Sequence, residues 1–316
     1  MASSTSAART TTINLTKQES PVLVNALRRV ILQSVPNYAY EEDTIEIRTN
    51  TSVFNSDELK RRIMNFPVFG LDHGTLTFQS FITNHRNLVI LNDTTYPEGR
   101  SQASNPPVMT LTCSYTHNKL GVGTLPVTTS ECQFSVDGKE VSDPYRGAPL
   151  TICYLHPGEK IVLTASSRMA TPLVSPCYMI ANAFFCETAP GTYSFTVESG
   201  CEVSADEVFR RSTVILTEKI DALRSSIDKN DDRKEGSILF AHDKFTVGGL
   251  FTHYLQNHGD VEYAGHKCAH MLGESSETLF RLKRSSSSLY KVVQDITDTI
   301  KKDIVQLIKK AEIATA

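Results

Sequence analysis

The spacing of apolar positions changes period several times along this chain, and each change predicts an element. Ser20 is a suitable N-cap with Pro21 at the first helical position, where its missing N–H costs nothing. Val22, Leu23, Ala26, Leu27, Val30 and Ile31 then recur at helical spacing until Pro36, so a helix with a broad apolar stripe is expected. From Tyr38 to Thr49 the period drops to two, with Ile45 and Ile47 on one face and Glu46 and Arg48 on the other, which predicts a half-buried strand. Residues 51–190 carry short alternating runs, Leu76 to Ile82, Val108 to Cys113 and Lys160 to Ala165, broken by Pro, Gly and Asn, with one short helix near Ser56 to Asn65. This stretch is expected to be a mainly β subdomain. Alternation returns at Thr192 to Ser199, and a helix is predicted from about Ala205 to Ile227 with Val208, Phe209, Ile215, Leu216, Ile220, Leu223 and Ile227 on its stripe.

The run from Ser225 to Gly236 is polar and has the composition of a linker; its roughly 12 residues would span about 40 Å when extended. Beyond it the pattern predicts a strand (Ser237 to Ala241) and a helix with Val247, Leu250, Phe251, Tyr254 and Leu255. Strands at Val261 to Cys268 and Thr278 to Lys283 follow, then a helix with Leu289, Val292, Val293, Ile296, Ile300, Ile304, Leu307 and Ile308. Strand, helix, strand, strand, helix thus occurs twice, which predicts an α+β fold with residues 1–50 and 191–228 as one module, 51–190 inserted in it, 229–236 as linker and 237–316 as a second module. Pattern alone leaves open whether these are paired copies of one module or two unrelated domains.

With 316 residues, 40% of them hydrophobic, the chain can fill two or three domains, and a disordered or fibrous protein is excluded. The net charge of −3 lacks the basic excess of a duplex-binding domain, so strong direct nucleic-acid binding is not expected. Seven cysteines at wide spacings form neither a zinc motif nor a disulfide scaffold and are expected to be reduced core thiols of an intracellular protein. The Ser, Thr and Ala-rich stretch from Met1 to Thr12 is expected to be a flexible tail, and no apolar run approaches a membrane span of about 18 residues. Phosphate-cradling GxxxxGK, GxSxG and HExxH runs are absent, so no catalytic residue and no cofactor are expected.

The run Asn25-Ala26-Leu27-Arg28-Arg29-Val30-Ile31-Leu32, then Val35-Pro36 and Tyr38-Ala39, resembles the first helix of the bacterial α subunit and of the third-largest subunit of eukaryotic RNA polymerase II. The likeness continues through Ile45 to Val53, Asp57-Glu58-Leu59-Lys60-Arg61-Arg62-Ile63 and Phe66-Pro67-Val68, and returns at Phe195-Thr196-Val197-Glu198-Ser199-Gly200. Beyond the linker, Phe245 to Leu250 and Val261 to His270 resemble the small partner subunit, which has Leu and Asn where this chain has Val247 and Gly249. Together these matches cover about half of the chain.

The resemblance implies two α-like subunits fused into one chain, a non-catalytic platform on which the second-largest, largest and other small polymerase subunits assemble. It implies that Leu23, Leu27, Val30, Ile31, Val208, Ile215, Leu250, Phe251, Leu255, Ile296 and Ile300 form a cis-dimer interface. Fusion would hold the modules at an effective concentration near the millimolar range. Asn25, Arg28 and Arg29, with Arg61 and Arg62 as a second pair, are the implied contacts to the second-largest subunit, where planar guanidinium groups suit carboxylate or backbone recognition. A solvated helix face is the alternative account of both pairs. The fused arrangement resembles large cytoplasmic DNA viruses, which implies host cytoplasm and virion as location; a cellular version would be nuclear. Two rivals stand beside this reading, a stand-alone interaction adaptor and a Cys/His hydrolase using Cys268 with His266 or His270. His266, Cys268 and His270 share one strand face but lack a fourth zinc ligand nearby, and no counterpart of the cysteine-rich zinc loop of cellular third-largest subunits is present.

Overall fold

The computed structural model describes residues 9–16, 19–92, 106–119, 123–241, 243, 245–268, 275–283 and 288–315. In chain order the first half contains strand β1 (Thr10–Thr16), helix α1 (Pro21–Gln33), β2 (Asn37–Asn50), α2 (Ser56–Met64), α3 (Thr75–Asn84), α4 (Arg86–Val89), β3 (Met109–Thr116), β4 (Leu125–Thr128), β5 (Cys132–Val136), β6 (Lys139–Val141) and β7 (Thr151–Leu155). The second half contains β8 (Lys160–Ala170), β9 (Ala181–Ala189), β10 (Thr192–Ser199), α5 (Ala205–Ser226), β11 (Glu235–Phe240), α6 (Val247–Gln256), β12 (Val261–Lys267), β13 (Ser276–Leu282) and α7 (Leu289–Thr315). Two units emerge: Met1–Val35 with Asn84–Pro97 and Ile180–Ala316, and Pro36–Thr83 with Glu98–Met179.

The first unit holds two three-stranded antiparallel sheets, ordered β1-β10-β9 and β11-β13-β12. Numbered within its own set, each sheet runs first, third, second, and in each a helix follows the first strand and another follows the third. β1 was not foreseen, because Thr10 to Thr12 reads as part of a polar tail. Its Thr11, Ile13 and Leu15 are buried at period two and it pairs with β10 from Thr10↔Glu198 to Thr16↔Thr192, so the alternation was present in Thr-dominated form. Residues 1–8 of the expected tail lie outside the described residues.

Helix α1 begins as its sequence predicts, with Pro21 in the first turn and Ser20 at the N-cap; the Ser20 side chain makes no capping bond, although its carbonyl accepts from Val24 N–H at 3.2 Å. α5 starts at a working cap, where Ser204 Oγ accepts from Glu207 N–H at 3.2 Å. β11 starts at Glu235, two residues before the expected Ser237, and so takes up the end of the anticipated linker. The segment around α4, expected in the β subdomain, clusters in this unit, as does β9.

The second unit is built on a five-stranded antiparallel sheet, β2-β8-β3-β5-β6, beside the β4-β7 pair. β2, which the pattern groups with α1, pairs with β8 from Asn37↔Ala170 to Asn50↔Ile161. Leu111, Leu163, Ala165 and Phe134 fill the sheet's buried face, and α2 packs its buried Leu59 and Ile63 against β2 and β7. The expected strand at Leu76 to Ile82 is instead part of helix α3. Burial selects the helical period there: Phe78, Phe81 and Ile82 are inside while Leu76 is 83% exposed.

Candidate subunit interface

Within the first unit, α1 packs on α5 and α6, and α7 packs on α5 and α6. The four helices converge because each carries a stripe wide enough to face two neighbours. Leu23, Leu27, Val30 and Ile31 of α1, Val208 and Ile215 of α5, Leu250, Phe251 and Leu255 of α6, and Ile296 and Ile300 of α7 are each 2% exposed or less. Fully burying side chains of this size stabilises by roughly 1.5–3 kcal/mol apiece, which makes their shared core the main adhesive between the helices.

Polar contacts frame that core. Arg224 of α5 reaches Asp298 of α7 at 3.1 Å, and Lys301 of α7 is paired with Asp221 of α5. Tyr254 of α6 donates to Asp303 of α7 at 2.6 Å, and its burial, together with that carboxylate, holds the phenol well above its usual pKa. Lys310 of α7 pairs with Glu19, just ahead of α1. α6 approaches its own sheet closely: a Cβ on Gly248 would stand 2.8 Å from His266 Cε1 and 3.2 Å from Ser276 Oγ, whereas one on Gly249 would meet nothing within 4 Å.

The arginines singled out from sequence are held differently from one another. Arg28 is half-buried on α1 and donates through Nε to Asn25 Oδ1 at 3.0 Å, which joins two of the expected contact residues into one polar cluster. Arg29 turns toward the start of α6, donating through Nε to Thr246 Oγ1 at 3.1 Å with its guanidinium 5.6 Å from the centre of the Phe245 ring. Burial lowers its pKa and the Asp243 carboxylate acts the other way. In the second unit, Arg62 donates to the Ile152 carbonyl at 3.1 Å, lies 5.2 Å over the Phe54 ring and approaches Glu58 at 3.6 Å. Arg61 is exposed.

Sequence reasoning missed a buried cation. Lys219 on α5 has a side chain only 1% exposed; its Nζ donates to the Ile90 carbonyl at 3.0 Å and to Asn92 Oδ1 at 2.5 Å, with Asp243 Oδ2 at 3.9 Å. A signal existed, since Lys219 stands four residues after Ile215, three after Leu216 and four before Leu223, on the apolar stripe. Of the strand trio, His266 belongs to β12, Cys268 follows its end with Sγ 3.8 Å from the Ser275 carbonyl, and His270 lies outside the described residues. Among the described residues, no group of three or more His, Cys, Asp and Glu could hold a metal ion, and no helix is long and apolar enough to cross a membrane.

Two comparisons bear on this arrangement. The family described as the RNA polymerase Rpb3/Rpb11 dimerisation domain matches residues 15–220, which takes in α1 and most of α5 and stops short of α6 and α7. A chain described as a DNA directed RNA polymerase subunit of Acanthamoeba polyphaga mimivirus is 23% identical, the similarity covering 91% of this chain and 87% of that one.

Proposed function

Because the chain belongs to the RNA polymerase Rpb3/Rpb11 dimerisation domain family, we propose that it is a non-catalytic assembly platform of a DNA-directed RNA polymerase, with a third-largest-subunit-like module and a small-partner-like module paired in cis. The observation that carries this reading is the repeated sheet order, first, third, second, in one unit whose four helices share a core. Two copies of one α+β module joined along their helices have this character. In this reading the first module comprises the residues up to Val35 with β9, β10 and α5. The second runs from β11 to α7, and the second unit is an insertion whose role is separate from pairing.

The platform's work is geometric. It brings the second-largest and largest subunits together, and those subunits hold the catalytic centre. The mimivirus relative supports a viral polymerase; action in host cytoplasm and carriage in the virion belong to the same proposal. Arg28 is the stronger candidate for contact with the second-largest subunit, because its hydrogen bond is to Asn25, an expected contact residue on the same helix, whereas Arg29 and Arg62 are engaged with other segments of the chain. Arg61, exposed on α2, is the other candidate.

Co-expression with the second-largest subunit of the same genome, followed by affinity capture, tests this. The wild-type chain should capture that subunit, and Arg28→Ala should fold and capture it at least about tenfold less well, since losing one member of an interfacial charge pair costs about 2–5 kcal/mol. Undiminished capture would remove Arg28 from the interface. A wild-type chain that captures neither large subunit would leave a stand-alone adaptor in place of the platform.

A further inference from the structure

Lys219 ties together three segments far apart in sequence. Its ammonium, on α5, meets the Ile90 carbonyl and Asn92 Oδ1 on the segment after α4. Asn92 adopts a left-handed backbone (φ 56°) and turns its amide nitrogen to Asp243 Oδ2 at 3.3 Å. The other oxygen of Asp243 accepts from Thr246 N–H at 2.9 Å and Val247 N–H at 3.1 Å and so caps α6. One carboxylate therefore closes the first turn of α6 and faces a cation rooted in α5.

We infer that Lys219 and Asp243 are the specificity determinants of the cis pairing, a buried charge pair through which the first module accepts only a second module carrying a carboxylate ahead of α6. This rests on the paired-module reading above. A buried ion pair is poor evidence for stability, because desolvation offsets its attraction. Its leverage lies in what happens when one charge is missing. A module lacking Asp243 leaves the Lys219 ammonium inside the apolar stripe of α5 with only the neutral acceptors of Ile90 and Asn92. Rejection of wrong partners by an uncompensated charge is a recurrent route to specificity. Docking of α6 and placement of Asn92 become a single event, since both contribute to the same cluster.

The test uses the full chain with a protease site inserted between the exposed residues Lys229 and Asn230, cut after folding, and measures the dissociation constant of the two halves by dilution. Asp243→Asn keeps an oxygen to cap α6 but removes the charge, and should weaken association at least about tenfold. Lys219→Met combined with Asp243→Asn should return it to within about threefold of wild type, because neither charge then remains unpaired. Asn92→Asp supplies a carboxylate from the segment after α4, on the N-terminal side of the cut, and should likewise rescue Asp243→Asn; Asp tolerates the left-handed backbone. If the Asp243→Asn chain does not fold, Asn92→Asp with Asp243→Asn, set against wild type, carries the same test. Asp243→Asn halves that bind as tightly as wild type, or a double variant weaker than either single one, would overturn the inference. Wild-type halves with no mutual affinity would instead overturn the paired-module reading itself.

Discussion

At the scale of single residues, the balance between burial and a nearby charge decides how several groups behave. Lys219 is pushed down to about 8 from 10.5, chiefly by desolvation, with Asp243 opposing. The unfolded chain therefore holds this proton more tightly than the native one, so the cost is complete below pH 8 and is relieved as pH rises toward 10.5. Native stability should gain up to about 3 kcal/mol from this residue across that window. Tyr254 and other buried acids shift the opposite way in the same range, so the measurement is the difference between urea titrations of wild type and Lys219→Met at stepped pH. A flat difference would contradict the assignment. The thiols, all expected in the core, divide instead: Cys153 is fully buried and raised to about 12 mainly by desolvation, while Cys186 is exposed on β9, a strand whose outer half faces solvent. Iodoacetamide at neutral pH should modify Cys186 in the native protein and reach Cys153 only on unfolding, as peptide mass spectrometry would record. None of this was visible as chemistry in the sequence, because the acceptors of Lys219 come from residues 90, 92 and 243, whose approach to α5 no local spacing encodes.

At the scale of elements, α6 shows why two adjacent glycines are not equivalent. Gly248 faces His266 and Ser276 across a gap too narrow for a methyl group, whereas Gly249 faces open space. Gly248→Ala should destabilise by about 1–3 kcal/mol through forced displacement, and Gly249→Ala should be neutral or stabilise by up to about 1 kcal/mol through helix propensity. Thermal melts of the two variants would distinguish them, and equal effects would contradict the close packing. Long helices were the most legible elements: the stripes of α1, α5 and α7 are strong because a helix between two neighbours needs many apolar positions at one period. The short helix α3 was misread because Leu76, Phe78 and Ile82 also fall at even spacing, and only the burial of Phe81 with the exposure of Leu76 decides between the two periods. β1 escaped because Thr serves both a polar tail and a strand, and its partner β10 stands far along the chain. The site followed the same rule. Buried stripe residues could be named from spacing, while the engagement of Arg29 with Thr246 depends on a contact between residues 217 positions apart.

At the scale of the whole molecule, α7 packs on β1, and Lys310 reaches Glu19 across 291 positions of sequence. Strand β1 is thus covered by helix α7. Deleting residues 304–316 should leave the β5, β8 and α2 region protected and raise amide exchange in Thr10–Thr16 selectively, since the deletion removes Ile304 and Leu307 from the core. Hydrogen exchange read by mass spectrometry gives the map, and uniform loss of protection would argue against a local cover. There is a further consequence for synthesis. A ribosome delivers β1 long before α7, so the strand waits without its lid while everything between Thr16 and Leu289 is made, and its hydroxyl-rich outer face suits it to wait in water.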